Sequence, residues 1–237
     1  MLGTFTFDGV ESSVYNVYIF DNQIDDGAVP LYSRNSVPGR NGDIIFPENM
    51  RANVIHRYDC VITGSGAMNN YNNLKNRFLS RQGYYRLEDS FHPTEFYQAF
   101  IDENFVPVFS QDRDMLRFQI TFNRKPQRFL KIGEEITTFT ASGVISNPTR
   151  FQSRPLMRVY GTGQLSIRPA QVITISEADE YTDIDCDLME CFKGVVSKNE
   201  FVTFSTLDYP YIAYGDNTVT LGAGITKVEI TPRWWRV

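Results

Sequence analysis

The sequence predicts a mainly β chain built as two strand-rich modules in series, the first carrying the one plausible helix. Three observations point there. Aromatics make up 14% of the 237 residues, with Phe 18 and Tyr 13, a composition that suits paired strands better than helices. Apolar residues alternate with polar ones in many short runs separated by Gly, Pro and Asp turn signals. Between the two halves lies a joint, Val144 to Gly163, that holds Asn147-Pro148, Arg154-Pro155 and the pair Gly161 and Gly163. Each proline removes a backbone donor and biases its predecessor towards extended backbone, so a strand begins afresh there.

In chain order, Leu2 to Phe7 reads as a first strand closed by Asp8-Gly9, and Val14 to Phe20 as a second. Asp21 to Asp43 is long and irregular, with turn signals at Asp25-Asp26-Gly27 and Pro38-Gly39-Arg40-Asn41-Gly42 that predict a hairpin tip or an extended arm. From Asn53 to Thr63, Val54, His56, Tyr58, Cys60 and Ile62 share one face. Ser65 stands as cap for a helix from Gly66 to Ser80, with Met68, Tyr71, Leu74 and Phe78 along one side and Gly83 at its end. Tyr84 to Glu88, Phe96 to Ile101 and Met115 to Phe122 follow as strands; in the last, Leu116, Phe118, Ile120 and Phe122 point one way. Beyond the joint, short strands are expected at Gln164 to Ile167, Val172 to Ser176, Thr182 to Leu188, Phe201 to Phe204, Thr218 to Leu221 and Val228 to Thr231. That spacing suggests a sandwich or barrel.

Composition and motifs exclude more chemistry than they suggest. Lys plus Arg total 23 against 28 for Asp plus Glu, a net charge of -5, which argues against non-specific nucleic-acid binding. Three cysteines imply no disulfide framework, the start carries no Sec leader, and no apolar run reaches the ~20 residues of a membrane span. A soluble protein made in a reducing compartment is the expectation. His56 falls on an apolar strand face as a core histidine, and His92 precedes Pro93 in an exposed turn. With no Gly-x-Ser-x-Gly elbow and no Gly-rich phosphate loop, neither a catalytic residue nor a cofactor or metal site is assigned. Asp183, Asp185 and Asp187 share one face of a strand; calcium sites draw 6–8 oxygens from folded loops, so these are read as a solvated face.

The chain resembles the distal tail protein (Dit) family of long-tailed, non-contractile bacteriophages. The residues that carry the resemblance are Phe7-Asp8-Gly9, Ser12-Ser13 and Tyr15, then Pro38-Gly39-Arg40-Asn41-Gly42 and Lys125-Pro126-Gln127-Arg128-Phe129. Asn147-Pro148-Thr149, Ser153 and Pro155, Ile184-Asp185, Gly215-Asp216-Asn217-Thr218 and Pro232-Arg233-Trp234-Trp235 follow in order. The resemblance implies a β-sandwich-like N-terminal ring domain with one helix, residues 1–131, and a galectin-like β-sandwich, residues 132–224. It also implies a structural hub with no enzymatic activity, at the virion tail tip and assembled in the host bacterial cytoplasm. Its expected partners are five further copies in a homohexameric ring, the tail tube protein, the tail-associated hub protein, and receptor-binding or adaptor proteins. No specific nucleic acid and no membrane insertion are expected. A carbohydrate-binding adhesion module is the competing reading. The second half has no His, however, and its two Trp are adjacent and so face opposite sides of a strand.

Two expectations concern particular residues. Pro38, Gly39, Arg40, Asn41 and Gly42 are the candidate ring contact, with Arg40 placed to reach a neighbour's carboxylate or carbonyls. Residues 225–237 are expected to cross back and complete the first module, with Trp234 and Trp235 covered from two sides at a seam between the domains.

Overall fold

The computed structural model describes residues 2–22, 27–109 and 115–237. The chain divides into two compact units, residues 1–128 with Val237, and residues 129–236. Asp25 and Asp26, two of the three residues of the Asp25-Asp26-Gly27 turn signal, lie outside the described residues.

The first unit contains β1 (Phe5–Phe7), β2 (Val10–Glu11), β3 (Val17–Asn22), β4 (Pro30–Ser36), β5 (Asp43–Arg51), β6 (Val54–Thr63), α1 (Ala67–Leu79), β7 (Tyr85–Asp89), β8 (Glu95–Phe100), β9 (Val108–Phe109) and β10 (Met115–Arg124). Its main sheet runs β2-β1-β7-β8-β10-β6-β3. The backbone is the long β6–β10 pair, in register from Met115 opposite Thr63 to Arg124 opposite Val54. Alternation along these two strands sends His56, Tyr58, Cys60 and Ile62, and Leu116, Phe118, Ile120 and Phe122, into one core with α1. Rings meet closely there: Phe5 stacks on Tyr58 at 5.4 Å, and Phe7 meets Phe78 edge-on at 5.2 Å. Each large side chain fully buried in this way contributes about 1.5–3 kcal/mol.

The helix is shorter and is started differently than the sequence suggests. Gly66, at φ 89°, begins it in place of a Ser65 side-chain cap. Its buried stripe is Ala67, Tyr71, Leu74 and Phe78; Met68 is exposed. Spacings of four, three and four residues keep that stripe narrow, and Met68 sits about 100° further round the helix.

The second unit holds β11 (Arg128–Leu130, which straddles the division), β12 (Thr137–Phe139), β13 (Gly143–Asn147), β14 (Leu156–Gly161), β15 (Gly163–Ile167), β16 (Val172–Ile175), β17 (Tyr181–Asp185), β18 (Glu190–Lys193), β19 (Val196–Ser197), β20 (Val202–Phe204), β21 (Gly215–Leu221), β22 (Ile225–Thr231) and β23 (Trp235–Arg236). Two antiparallel sheets, β12-β22-β14-β17-β18-β19 and β13-β21-β15-β16-β20, share a core that includes Met157, Val159, Leu165, Ile173, Ile184 and Val228. The mainly β, sandwich-bearing architecture agrees with the sequence.

The tail divides. Residues 225–231 lie in the second unit, while β23 (Trp235–Arg236) pairs with β11 as part of the ten-stranded sheet and Val237 groups with the first unit. Strand β22 is an internal strand between β12 and β14, with Val228 opposite Val159 and Ile230 opposite Met157. The alternation that marks Val228 and Ile230 is what commits them: both are fully buried in the sandwich core, and removing the strand would open it.

Candidate functional site

The arm is the first candidate. Among the described residues, strands β4 and β5 pair only with each other, as a separate two-stranded sheet from Pro30 opposite Arg51 to Ser36 opposite Asp43. The tip, Val37 to Gly42, turns through Gly39 and Gly42, both at φ 81°, and Arg40 N–H donates to Val37 C=O at 3.1 Å. Pro38, Gly39, Arg40, Asn41 and Gly42 are all exposed. Apolar side chains stand on both faces of the ribbon, Tyr32 and Ile45 on one, Ile44 and Phe46 on the other; Ile45 is 57% and Phe46 51% exposed. A ribbon with a core on one side would be polar on the other. At its base Arg51 donates to the Ala28 carbonyl, beside a shallow cavity of about 270 Å³ lined by Ala28, Val29, Ala52 and Ile55 among others.

The second candidate is the three-aspartate run, which does not gather. Asp183 receives Arg158 in a fork, Nε to Oδ1 at 2.7 Å and Nη2 to Oδ2 at 2.9 Å. Asp185 receives Arg233 in another fork, at 2.7 and 2.8 Å, and accepts the N–H groups of Asp187 and Leu188. Asp187 is exposed, and the strand ends before it, leaving Leu188 64% exposed instead of inward. Asp183 and Asp185 are only 5% and 4% exposed, so the solvated-face reading is corrected: each is an anchor for an arginine. Burial pushes the Asp185 carboxyl up, but Arg233 and the two N–H groups outweigh it and hold it below the usual carboxylate range. Among the described residues no group of three or more His, Cys, Asp or Glu could hold a metal ion.

Around Asp185 the C-terminal segment is tied down. Arg233, at φ 57°, sends its N–H to the Gly133 carbonyl at 2.7 Å, and Leu130 N–H reaches the Trp234 carbonyl at 2.8 Å. A Cβ on Gly133 would stand 2.3 Å from the Trp234 nitrogen, so only glycine allows this approach. Trp234 is 5% exposed in the sandwich core. Trp235 faces the other way, stacks on Phe151 at 4.5 Å and donates Nε1–H to the Gln152 carbonyl at 2.9 Å. Trp234 is thus covered in the sandwich core, and Trp235 is covered by Phe151 and the Gln152 backbone.

Of the other singled-out residues, two asparagines brace backbone and the rest form ion pairs or core contacts. Asn147 receives the N–H and Oγ1–H of Thr149 and donates to the carbonyls of Phe151 and Ile212. Asn217 bonds both N–H and C=O of Ala213. Asp8, at φ 50°, pairs with Arg77 and Arg81 at the helix end. Arg128 meets the buried Glu95 at 2.8 Å. His56 lies in the core, edge-on to Tyr58 at 4.6 Å. His92 is partly buried, not free in a turn: its Nδ1 is 3.0 Å from Asp89, which also accepts from Tyr58 Oη at 2.7 Å.

The sequence matches no protein-family model and no curated protein. Among solved structures, the Dit protein of phage SPP1, described as a hub adsorption apparatus of Gram-positive-infecting phages, is similar over 97% of this chain and 98% of its own, with TM-score 0.73 and 12% identity. A chain of the phage P2 baseplate in its calcium-activated conformation is similar over 97% and 98%, with TM-score 0.52 and 11% identity. A chain of the strontium-activated baseplate is similar over 97% of each, with TM-score 0.54 and 10% identity. End to end, therefore, this chain has the fold of the SPP1 Dit protein.

Proposed function

We propose that this chain is a structural hub of a bacteriophage tail tip or baseplate, and that it works as a homohexameric ring. The observation that carries this reading is the likeness to the SPP1 Dit protein, which spans both units and covers 97% of this chain and 98% of that one. Within that reading the ring joins the tail tube protein on one side to the tail-associated hub protein on the other. Receptor-binding or adaptor proteins attach to it, and the whole sits at the virion tail tip.

The arm supports the oligomeric part of the reading. A two-stranded ribbon is marginal in water on its own, and one with apolar residues on both faces calls for a neighbour on each. Around a ring, the arm of each copy meets the next copy, a head-to-tail contact that closes on itself. Arg40 at the tip supplies a fork of donors for a carboxylate or for carbonyls of that neighbour.

The test is native mass and negative-stain imaging of the purified chain and of a variant with residues 31–50 replaced by a short Gly-Ser link. The full chain is expected as rings with six-fold symmetry, and the variant as a folded monomer. A full chain that stays monomeric at every concentration and with the tube protein present would overturn the ring. Rings that persist without the arm would overturn the arm contact alone.

A further inference from the structure

Asn41 and Gly42 form the only Asn-Gly step in the sequence, and the fold sets it at the exposed tip of the arm. Among the described residues, neither the Asn41 side chain nor the Gly42 N–H has a hydrogen-bond partner. Gly42 carries no Cβ to shield its nitrogen, and the space where one would stand is open. A side-chain amide and an unbonded, unshielded peptide nitrogen therefore follow one another in solvent.

Other asparagines lack one or more of these features. Asn147 and Asn217 are buried and bonded to backbone carbonyls, and Asn53 donates to Tyr84 Oη and Asn123 Oδ1. Asn35 is the internal control. It is exposed on the same arm, yet it lies inside β4 opposite Ile44, and Ser36 after it carries a side chain and is paired with Asp43. Exposure is common to both; the bare following residue in an unpaired turn belongs to Asn41.

We propose that Asn41 is a site of self-modification, converting to isoaspartate and aspartate in copies whose arm tip is free. A base in solvent takes the Gly42 amide proton, and the nitrogen attacks Asn41 Cγ. The N–Cγ bond forms as Cγ–Nδ2 breaks, and Nδ2 takes up a proton and leaves as ammonia. Water then opens the five-membered imide. Addition at Cγ gives aspartate; addition at the main-chain carbonyl gives isoaspartate, with the chain routed through the side-chain carbons. The sum is asparagine plus water to a carboxylate plus ammonia, with nothing oxidised or reduced.

One copy suffices for this chemistry, because only a side chain and the next peptide nitrogen take part. The new carboxylate stands beside Arg40 and competes for its guanidinium. Isoaspartate also adds a methylene to the main chain of a hairpin whose register depends on its turn. That a neighbouring copy shields the tip rests on the ring reading above; the modification in a free copy does not.

The test is incubation of the full-length chain, diluted until native mass shows single copies, at physiological temperature and neutral to mildly alkaline pH. Peptide mapping reads the gain of one mass unit at each asparagine, and an isoaspartyl methyltransferase reports isoaspartate. Asn41 is expected to convert at least tenfold faster than Asn35, to a mixture of both products, and faster as pH rises. Gly42→Ala should slow it at least tenfold, and Asn41→Gln, which would need a six-membered ring, should remove the signal. Conversion no faster than at Asn35, aspartate without isoaspartate, or an undiminished rate in Gly42→Ala each overturns the proposal. Where rings form, conversion in them is expected to be slower; an equal rate there would overturn the arm-tip contact and leave the modification standing.

Discussion

The arm and the C-terminal tie are both stretches in which apolar residues stand beside arginine and turn signals, and they end in opposite states. In the arm, Ile45 and Phe46 are left half in water and the tip residues 38–42 touch little beyond their own turn. In the tie, Trp234 is in the core, Trp235 is stacked on Phe151, and Arg233 is forked onto a buried carboxylate. The first stretch leaves much of its apolar surface exposed, and the second holds a sheet corner together. Apolar content alone does not say which is which. The discriminating sign is whether the neighbouring backbone has its hydrogen bonds taken up by distant residues, as at Leu130, Gly133 and Gln152, or only by its own hairpin partner.

The contrast can be broken by measurement. Trp234→Ala is expected to cost the second unit about 3–5 kcal/mol in denaturant unfolding, the range for emptying a large buried aromatic site. Arg233→Met leaves Asp185 buried and unpaired, and a loss of about 3 kcal/mol is expected from the same experiment. The double variant Arg233→Met with Asp185→Asn should recover part of that loss, since no buried charge is then stranded. Acid sharpens the same point. Because the folded-state pKa of Asp185 is depressed, its contribution is present above the unfolded value of about 3.9 and disappears as pH falls through the lower folded one. Melting temperature followed from pH 6 to pH 2 should fall less steeply in Asp185→Asn than in the parent. The smallest effect belongs to the arm: Ile45→Thr with Phe46→Ser is expected to move stability by less than about 0.5 kcal/mol while reducing self-association. A large stability loss there would mean that the ribbon is part of the first unit's core.

Much of the fold was legible because strand alternation is a local signal. His56, Tyr58, Cys60 and Ile62, and Leu116 to Phe122, are buried on the faces the pattern assigns. The arm was legible as a hairpin or arm from its glycine turns, though not its extent, since Asp43–Arg51 contains Pro47 and Asn49 and lacks clean alternation. What was not legible is non-local. Asp183 and Asp185 look like solvent residues until Arg158 and Arg233, 25 and 48 residues away, arrive beside them. The destination of Trp234 depends on Gly133, about a hundred residues earlier, having no side chain.

The corner where β14 passes into β15 and β21 into β22 has a consequence for the order of events in the cell. A Cβ on Gly161 would fall 2.1 Å from the Gly224 carbonyl oxygen, on Gly163 2.3 Å from that of Ala223, and on Gly224 2.2 Å from that of Thr162. Two backbones therefore interlock across some sixty residues of chain, bare glycine against carbonyl. No ribosome-bound nascent chain can make that contact until Gly224 has left the exit tunnel, so the first unit has time to fold while the second waits with its sheets open. Exposed strand edges in that interval are a target for misassembly, and at 5–20 residues per second the interval lasts seconds. Slowing translation ahead of this corner should raise aggregation, and releasing the chain quickly should lower it.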